Sequence, residues 1–191
     1  MRALILNGSR KADKVFDDIV NVLVHSLKKS DYEVDCIILH KSEISDCDGC
    51  FSCWIKTPGI CVVDDDGRDI AIKHIQSDLL ILLTPITFGG YSSELKKAID
   101  RLIPNELPFY IKIHEEIHHE PRYEQYPSLI GVGVLSHPDE ESEKIFKKLV
   151  SRNAINLHSP KYSEGVVYLD DSIKDLEEKV GVILGKVGVG R

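Results

Sequence analysis

Nothing in this 191-residue chain stays apolar for the length a membrane span needs, and its first residues lack the basic-then-apolar pattern of a secretory leader. A soluble, unexported, cytoplasmic protein is therefore the expectation. Cations are in deficit, with 24 Lys and Arg against 31 Asp and Glu and a net charge of −7. That balance argues against a nucleic-acid surface or an anionic membrane, both of which recruit clustered positive charge. Cysteine is scarce and unevenly placed: there are five, four of them between Cys47 and Cys61. A secreted disulfide framework spreads its cysteines along a smaller chain, so a reducing interior fits better. There is no internal repeat and no compositional break, which leaves one domain over residues 1–191.

Apolar runs alternate with amphipathic stretches. Ala3–Leu6 reads as a first strand. Val15, Phe16, Ile19, Val20, Leu23, Val24 and Leu27 fall at helical spacing. A second strand is expected over Tyr32–Leu39 and a brief helix over Arg68–Ile75. Leu79–Leu83 is a solid apolar run ringed by breakers, as in a strand buried on both faces. Leu95, Ala98, Ile99 and Leu102 give the next helix, with Ser92 or Ser93 placed to cap it. Leu129–Leu135 predicts a fourth strand, and Ile145, Phe146, Leu149 and Val150 an inward helix face after an acidic first turn. Gly165–Leu169 and a helix capped by Asp170 or Asp171 complete the chain. This rhythm predicts an α/β fold, a doubly wound five-stranded parallel sheet with helices on both faces. Residues 104–127 break the pattern and read as an irregular insertion covering a sheet edge or a neighbouring subunit.

Two loops follow strands directly. Asn7-Gly8-Ser9-Arg10-Lys11 leads into a helix, where free N–H groups and the positive dipole end suit an anion, though an ordinary turn satisfies the same residues. Pro85–Tyr91 cannot prolong its strand, because it holds a proline and two glycines. It would sit at the carboxyl edge of the sheet, where α/β proteins place ligands. Gly89 and Gly90 would admit a flat ring close to the backbone; a plain turn is the alternative.

Three segments together carry a resemblance. They are Leu-Asn-Gly-Ser-Arg-Lys; the block Cys-Asp-Gly-Cys-Phe-Ser-Cys-Trp to Gly-Ile-Cys, followed by Asp64, Asp65 and Asp66; and Pro85-Ile-Thr-Phe-Gly-Gly-Tyr-Ser-Ser-Glu-Leu-Lys-Lys-Ala-Ile-Asp-Arg101. They resemble the flavodoxin-like NAD(P)H-dependent FMN reductases and, more narrowly, the iron–sulfur flavoproteins, over about the first 105 residues. The resemblance implies FMN, held by its phosphate at Ser9, Arg10 and Lys11, with its ring against Pro85, Ile86, Thr87, Phe88, Gly89, Gly90 and Tyr91 and near Ser136. It further implies NAD(P)H as electron donor, a small-molecule or protein acceptor left unnamed, and a homo-oligomer, dimer or tetramer. Two departures stand out. Asp13-Lys14-Val15 occupies the place of a phosphate-reaching Ser or Thr, and Ser136-His137 replaces paired glycines. A flavin-binding electron carrier without NAD(P)H turnover is the rival reading, and a flavin-free domain with a thiol site a third.

Cys47, Cys50, Cys53 and Cys61 offer four soft ligands in the spacing x2, x2, x7. A [4Fe–4S] centre, as the resemblance implies, remains open beside free thiols, zinc or a redox disulfide. His114-Glu115-Glu116-Ile117-His118 matches a zinc-protease pattern if helical, but Pro121 follows too soon, so a charged surface insertion is expected. Cys36 is expected in the core, Phe88 or Trp54 against a flavin face, and Gly131 and Gly133 at close packing contacts within a strand.

Overall fold

The computed structural model describes residues 1–190. In chain order the elements are β1 (Arg2–Asn7), α1 (Lys14–Lys29), β2 (Glu33–Ile38), the one-turn α2 (Ser52–Ile55), α3 (Asp66–Ile75), β3 (Leu79–Pro85), α4 (Ser93–Asp100), β4 (Glu106–Ile113), β5 (Glu116–Pro121), β6 (Ser128–Leu135), α5 (Glu140–Asn156), β7 (Tyr162–Tyr168) and α6 (Ile173–Val187). Five strands form a parallel sheet in the order β2-β1-β3-β6-β7, the flavodoxin-like arrangement expected from the sequence. The connections leave β1 and β3 in opposite directions, so the crevice between their carboxyl ends is the switch point where such sheets bind ligands.

Alternation along the strands divides the core. Ala3 and Ile5 face the layer of α1 and α6, packing with Phe16, Ile19, Leu23, Val180 and Leu184. Leu4 and Leu6 face α3, α4 and α5, packing with Ile70, Leu95, Ala98, Phe146 and Val150. Leu79 to Leu83 of the central strand are at most 1% exposed, as a run covered on both faces must be. Asp13 caps α1 by accepting from Val15 N, and Asp139 caps α5 by accepting from Ser142 N. Gly131 and Gly133 sit where helices press on the sheet. A Cβ on Gly131 would lie 2.4 Å from Val150 Cγ2, and one on Gly133 2.6 Å from Ile86 Cδ1.

Four expectations are corrected. Cys36 is exposed, because β2 is an edge strand whose outer face no helix covers completely. Ile145 is 46% exposed and lies over the Pro85–Tyr91 loop rather than in the core. The cap of α6 is Ser172, in a reciprocal capping box with Asp175. Asp171 instead accepts from Tyr168 N and pairs with Lys179. Finally, residues 104–127 are mostly ordered as the antiparallel hairpin β4–β5. Its turn places His114 and Glu115 at positive φ, which removes the helix that a His-Glu-x-x-His zinc site requires.

Gly131→Ala should force its methyl into Val150 and lower stability by about 1–3 kcal/mol. Urea unfolding checks this, and the additional change Val150→Ala should restore part of the loss.

Candidate functional site

The loops after β1 and β3 meet at the switch point and are stitched together. Gly8 N donates to Leu83 O at 2.7 Å. Ser92 Oγ donates to Gly8 O at 2.6 Å and accepts from Leu95 N, capping α4. Ser92 N in turn donates to Thr84 Oγ1. No side chain fits at Gly8, where a Cβ would lie 2.8 Å from both Leu95 Cβ and Ser92 Oγ. Arg10 Nη2 reaches Thr87 Oγ1 at 3.3 Å, joining the two loops on the solvent side.

Ser9 is buried, while Arg10 and Lys11 are exposed. Ser9 N donates to Asn7 Oδ1, and the amides from Arg10 to Lys14 make no hydrogen bond within the described residues. These free donors lie at the dipole end of α1, a ready anion cradle. His40 Nδ1 sits 3.1 Å from Ser9 O and 3.3 Å from Ser9 Oγ, bracing the loop from the end of β2. Asp13 places a carboxylate at the same helix end.

Thr87 and Gly90 exchange N–H···O bonds across the second loop. This holds Phe88 and Gly89 at positive φ, with Phe88 99% exposed at the tip and Gly89 buried against Ile145. A Cβ on Gly89 would lie 2.5 Å from Ile145. Pro85, Ile86 and Thr87 are half-buried on the same rim, with Ile86 seated over Gly133. Tyr91 turns away from the rim. Its hydroxyl accepts from Asn153 Nδ2, its ring meets Phe146 edge-on, and burial raises its pKa to about 12. Ser136 is exposed just past β6 and lies 2.8 Å from its neighbour His137.

The four clustered cysteines line one cavity of about 260 Å³, together with Asp46, Asp48, Asp100, Arg101 and apolar residues. None is in a disulfide; Cys47 and Cys50 are exposed and Cys53 is buried. Among the described residues no three His, Cys, Asp or Glu side chains converge as a single metal ion demands, which disfavours a preformed zinc site. Arg101, at the carboxyl end of α4, holds both flanks of this segment. It donates to Ser45 O and Val63 O, and forks onto Asp65 with both bonds 2.8 Å. Asp65 also accepts from Ser45 N and caps α3 through Gly67 N. Burial pushes the Asp65 pKa up, but the hydrogen bonds from Arg101 and Ser45 outweigh it and hold it at about 2. Trp54 is committed to the hairpin: its indole N–H donates to Glu106 O, and its ring lies between Phe51 and His119.

The family model for NADPH-dependent FMN reductases matches residues 1–115, the span that holds both switch-point loops and the cysteine cavity. The chain belongs to this family. Among relatives of this FMN reductase family member, an iron–sulfur flavoprotein of Methanocaldococcus jannaschii is 30% identical over 112 residues, covering 59% of this chain and 57% of that protein. An FMN-dependent NADPH-azoreductase of Staphylococcus haemolyticus is 28% identical over 191 residues, covering 95% of this chain and 92% of its own. The chain spans about half the length of the curated iron–sulfur flavoproteins it matches. An FMN-dependent NADH-azoreductase from Bacillus anthracis, solved in complex with FMN, superposes with a TM-score of 0.69 at 11% identity over 100% of both chains. An NAD(P)H:quinone oxidoreductase from Methanothermobacter marburgensis gives 0.68 at 14% identity, over 97% of this chain and 98% of the other. At such identities these two establish the fold alone.

Within this FMN reductase family fold, His40, Asp65 and Arg101 are structural members of the sites to which sequence spacing gave no role, while Ser92, expected as a helix cap, also binds the two loops together. Two predictions follow from their bonds. Ser92→Ala removes a helix cap and orphans the buried Gly8 carbonyl, so urea unfolding should show a loss of about 2–3 kcal/mol. The depressed pKa of Asp65 makes its contribution present above its ordinary value of 3.8 and lost as pH falls toward about 2. Acid unfolding followed by fluorescence should therefore show about 2 kcal/mol disappearing across that window, and Asp65→Asn should lack this component.

Proposed function

We propose that the chain is an FMN-dependent oxidoreductase that accepts hydride from NAD(P)H and passes electrons to a small-molecule or protein acceptor. The observation carrying this reading is the stitched pair of loops at the switch point. One presents free amides at a helix N-terminus beside Arg10 and Lys11; the other presents a tight turn with Phe88 exposed at its tip and half-buried Pro85, Ile86 and Thr87 along the rim. Membership of the NADPH-dependent FMN reductase family supports it independently. The residues fit the cofactor. The Arg10–Lys14 amides and Ser9 would hold the phosphate, and Pro85 to Gly90 would lie along the ring.

The four thiols fit a [4Fe–4S] group in the same way. All four border one cavity, and a cubane takes one thiolate at each iron, so they need not converge on a point. The iron–sulfur flavoproteins among the relatives favour this over free thiols. When bound, FMN supplies hydride acceptance and an iron–sulfur group one-electron exchange. The protein's part is to anchor each group, orient it and shield it. Thr87 and Gly90 keep the ring loop rigid by their mutual bonds, and Arg10 ties it to the anion loop. Asp13 opposes the phosphate by its charge, and the exposed cations of Arg10 and Lys11 offset it.

A homo-oligomer belongs to the same proposal. Phe88 at the ring loop, with Phe109, Tyr110 and Ile117 on the hairpin, leaves apolar surface that a second copy would cover. No helix among the described residues is long and apolar enough to cross a membrane.

Purified anaerobically, the protein should show flavin absorbance that NADPH or NADH bleaches. Bleaching by dithionite alone would favour an electron carrier, and failure to retain FMN would overturn the reading. Asp13→Ser should tighten FMN binding about 5–10-fold in a fluorescence titration, by removing a like charge within the first helical turn; unchanged or weaker binding would place the phosphate elsewhere.

A further inference from the structure

Arg101 is buried, its side chain 1% exposed, and its five guanidinium N–H donors can be accounted for one by one. Nη1 donates to Ser45 O and Asp65 Oδ2, and Nη2 to Val63 O and Asp65 Oδ1. The fifth donor, Nε–H, is buried with no acceptor. Buried donors are rarely left this way, because an unmade hydrogen bond costs the full desolvation of the group. Arg101 also lines the thiol cavity, and it is the one cation among the lining residues, against Asp46, Asp48 and Asp100. An anionic group in that cavity thus meets three carboxylates and a single guanidinium, whose remaining donor awaits a partner.

We propose that Arg101 is a direct hydrogen-bond and charge partner of the sulfur centre held by Cys47, Cys50, Cys53 and Cys61, its Nε–H donating to a thiolate or sulfide, and that it thereby raises the centre's reduction potential. The proposal rests on the iron–sulfur reading given above. Each electron added to the centre adds one unit of negative charge. A donor and a cation beside the sulfurs therefore favour the reduced form, and hydrogen bonds to sulfur are among the features that set such potentials. The Asp65 carboxylate works against this, since it neutralises much of the guanidinium's charge at 2.8 Å. The two partners consequently push the potential in opposite senses, although both belong to one structural clamp.

That opposition defines the test. Wild type, Arg101→Lys and Asp65→Asn are reconstituted anaerobically with iron and sulfide. Iron and sulfide per chain are measured, and the potential is determined by optical titration with dithionite. Arg101→Lys keeps a charge but loses Nε–H and the fork, and should lower the potential by about tenfold in the reduction equilibrium, ~59 mV for one electron. Asp65→Asn keeps the guanidinium and removes the opposing carboxylate, and should raise it. A clamp that merely holds the loop would move both variants in the same direction, and that result, or two unchanged potentials, would overturn the proposal. If Arg101→Lys fails to take up iron, the Asp65→Asn shift decides alone: upward supports the proposal, and downward or none refutes it. Wild-type protein that stays free of iron and sulfide overturns the iron–sulfur reading itself and this inference with it, while flavin retention by the same sample is unaffected.

Discussion

Helix α4 is the constraint on which the two candidate sites jointly depend. Its cap residue, Ser92, is bonded to Gly8 and Thr84 and so fixes the meeting of the two loops at the switch point. Its last turn ends in Arg101, which gathers Ser45, Val63 and Asp65 around the thiol cavity. Leu95 and Ala98, fully buried against the sheet, stop the helix from sliding. From Ser92 to Arg101 is nine residues, about 13 Å at the α-helical rise. One short element therefore sets the separation between the switch-point loops and the thiol cavity, the two candidate sites.

The hairpin β4–β5 extends this arrangement. It begins just past α4, and Trp54 of the cysteine segment is bonded to Glu106 at its base. Arg122 donates to Pro104 O and Glu106 O and Tyr126 to Asn105 O, so the strand entering the hairpin is tied to the segment leaving it. His74, fully buried beneath, meets Asn105 through Nδ1, and burial alone lowers its pKa to about 4, so it stays neutral as a hydrogen-bonding partner. The segment that looks like an insertion in sequence thus braces the outer wall of the cysteine loop, through contacts that apolar patterning does not register.

What could be read from the sequence follows a physical line. The central strands and the inner faces of α1 and α4 were legible because burial on a regular element imposes a period, and Ser92 because an N-cap is a local rule. Cys36 misled because an edge strand shows β-pattern without full cover, which only the sheet order reveals. The α6 cap lies one or two residues later than expected because three adjacent residues, Asp170, Asp171 and Ser172, all have capping chemistry, and the bond that Asp175 N donates to Ser172 Oγ decides among them. Arg101 with Asp65 was beyond reach. The two are 36 residues apart, and neither type, in a charged stretch, signals that it will be buried.

An acidic chain offered an anionic group has a like-charge problem, and the two ends of α4 would meet it differently. At the switch point the anion cradle is open to water. Solvent would screen Asp13 against an incoming phosphate, and neutral amides with the exposed Arg10 and Lys11 would serve. At the thiol cavity screening is weaker, because the guanidinium is excluded from water, and mobile surface lysines could not serve. A single fixed fork, neutralised on one side by Asp65 and open on the other, supplies a cation without leaving a net buried charge when the cavity is empty of anions. The same Asp65 that makes a buried Arg101 tolerable would therefore limit how strongly it could favour added negative charge, so for the proposed sulfur centre one carboxylate would set stability of the loop against ease of reduction.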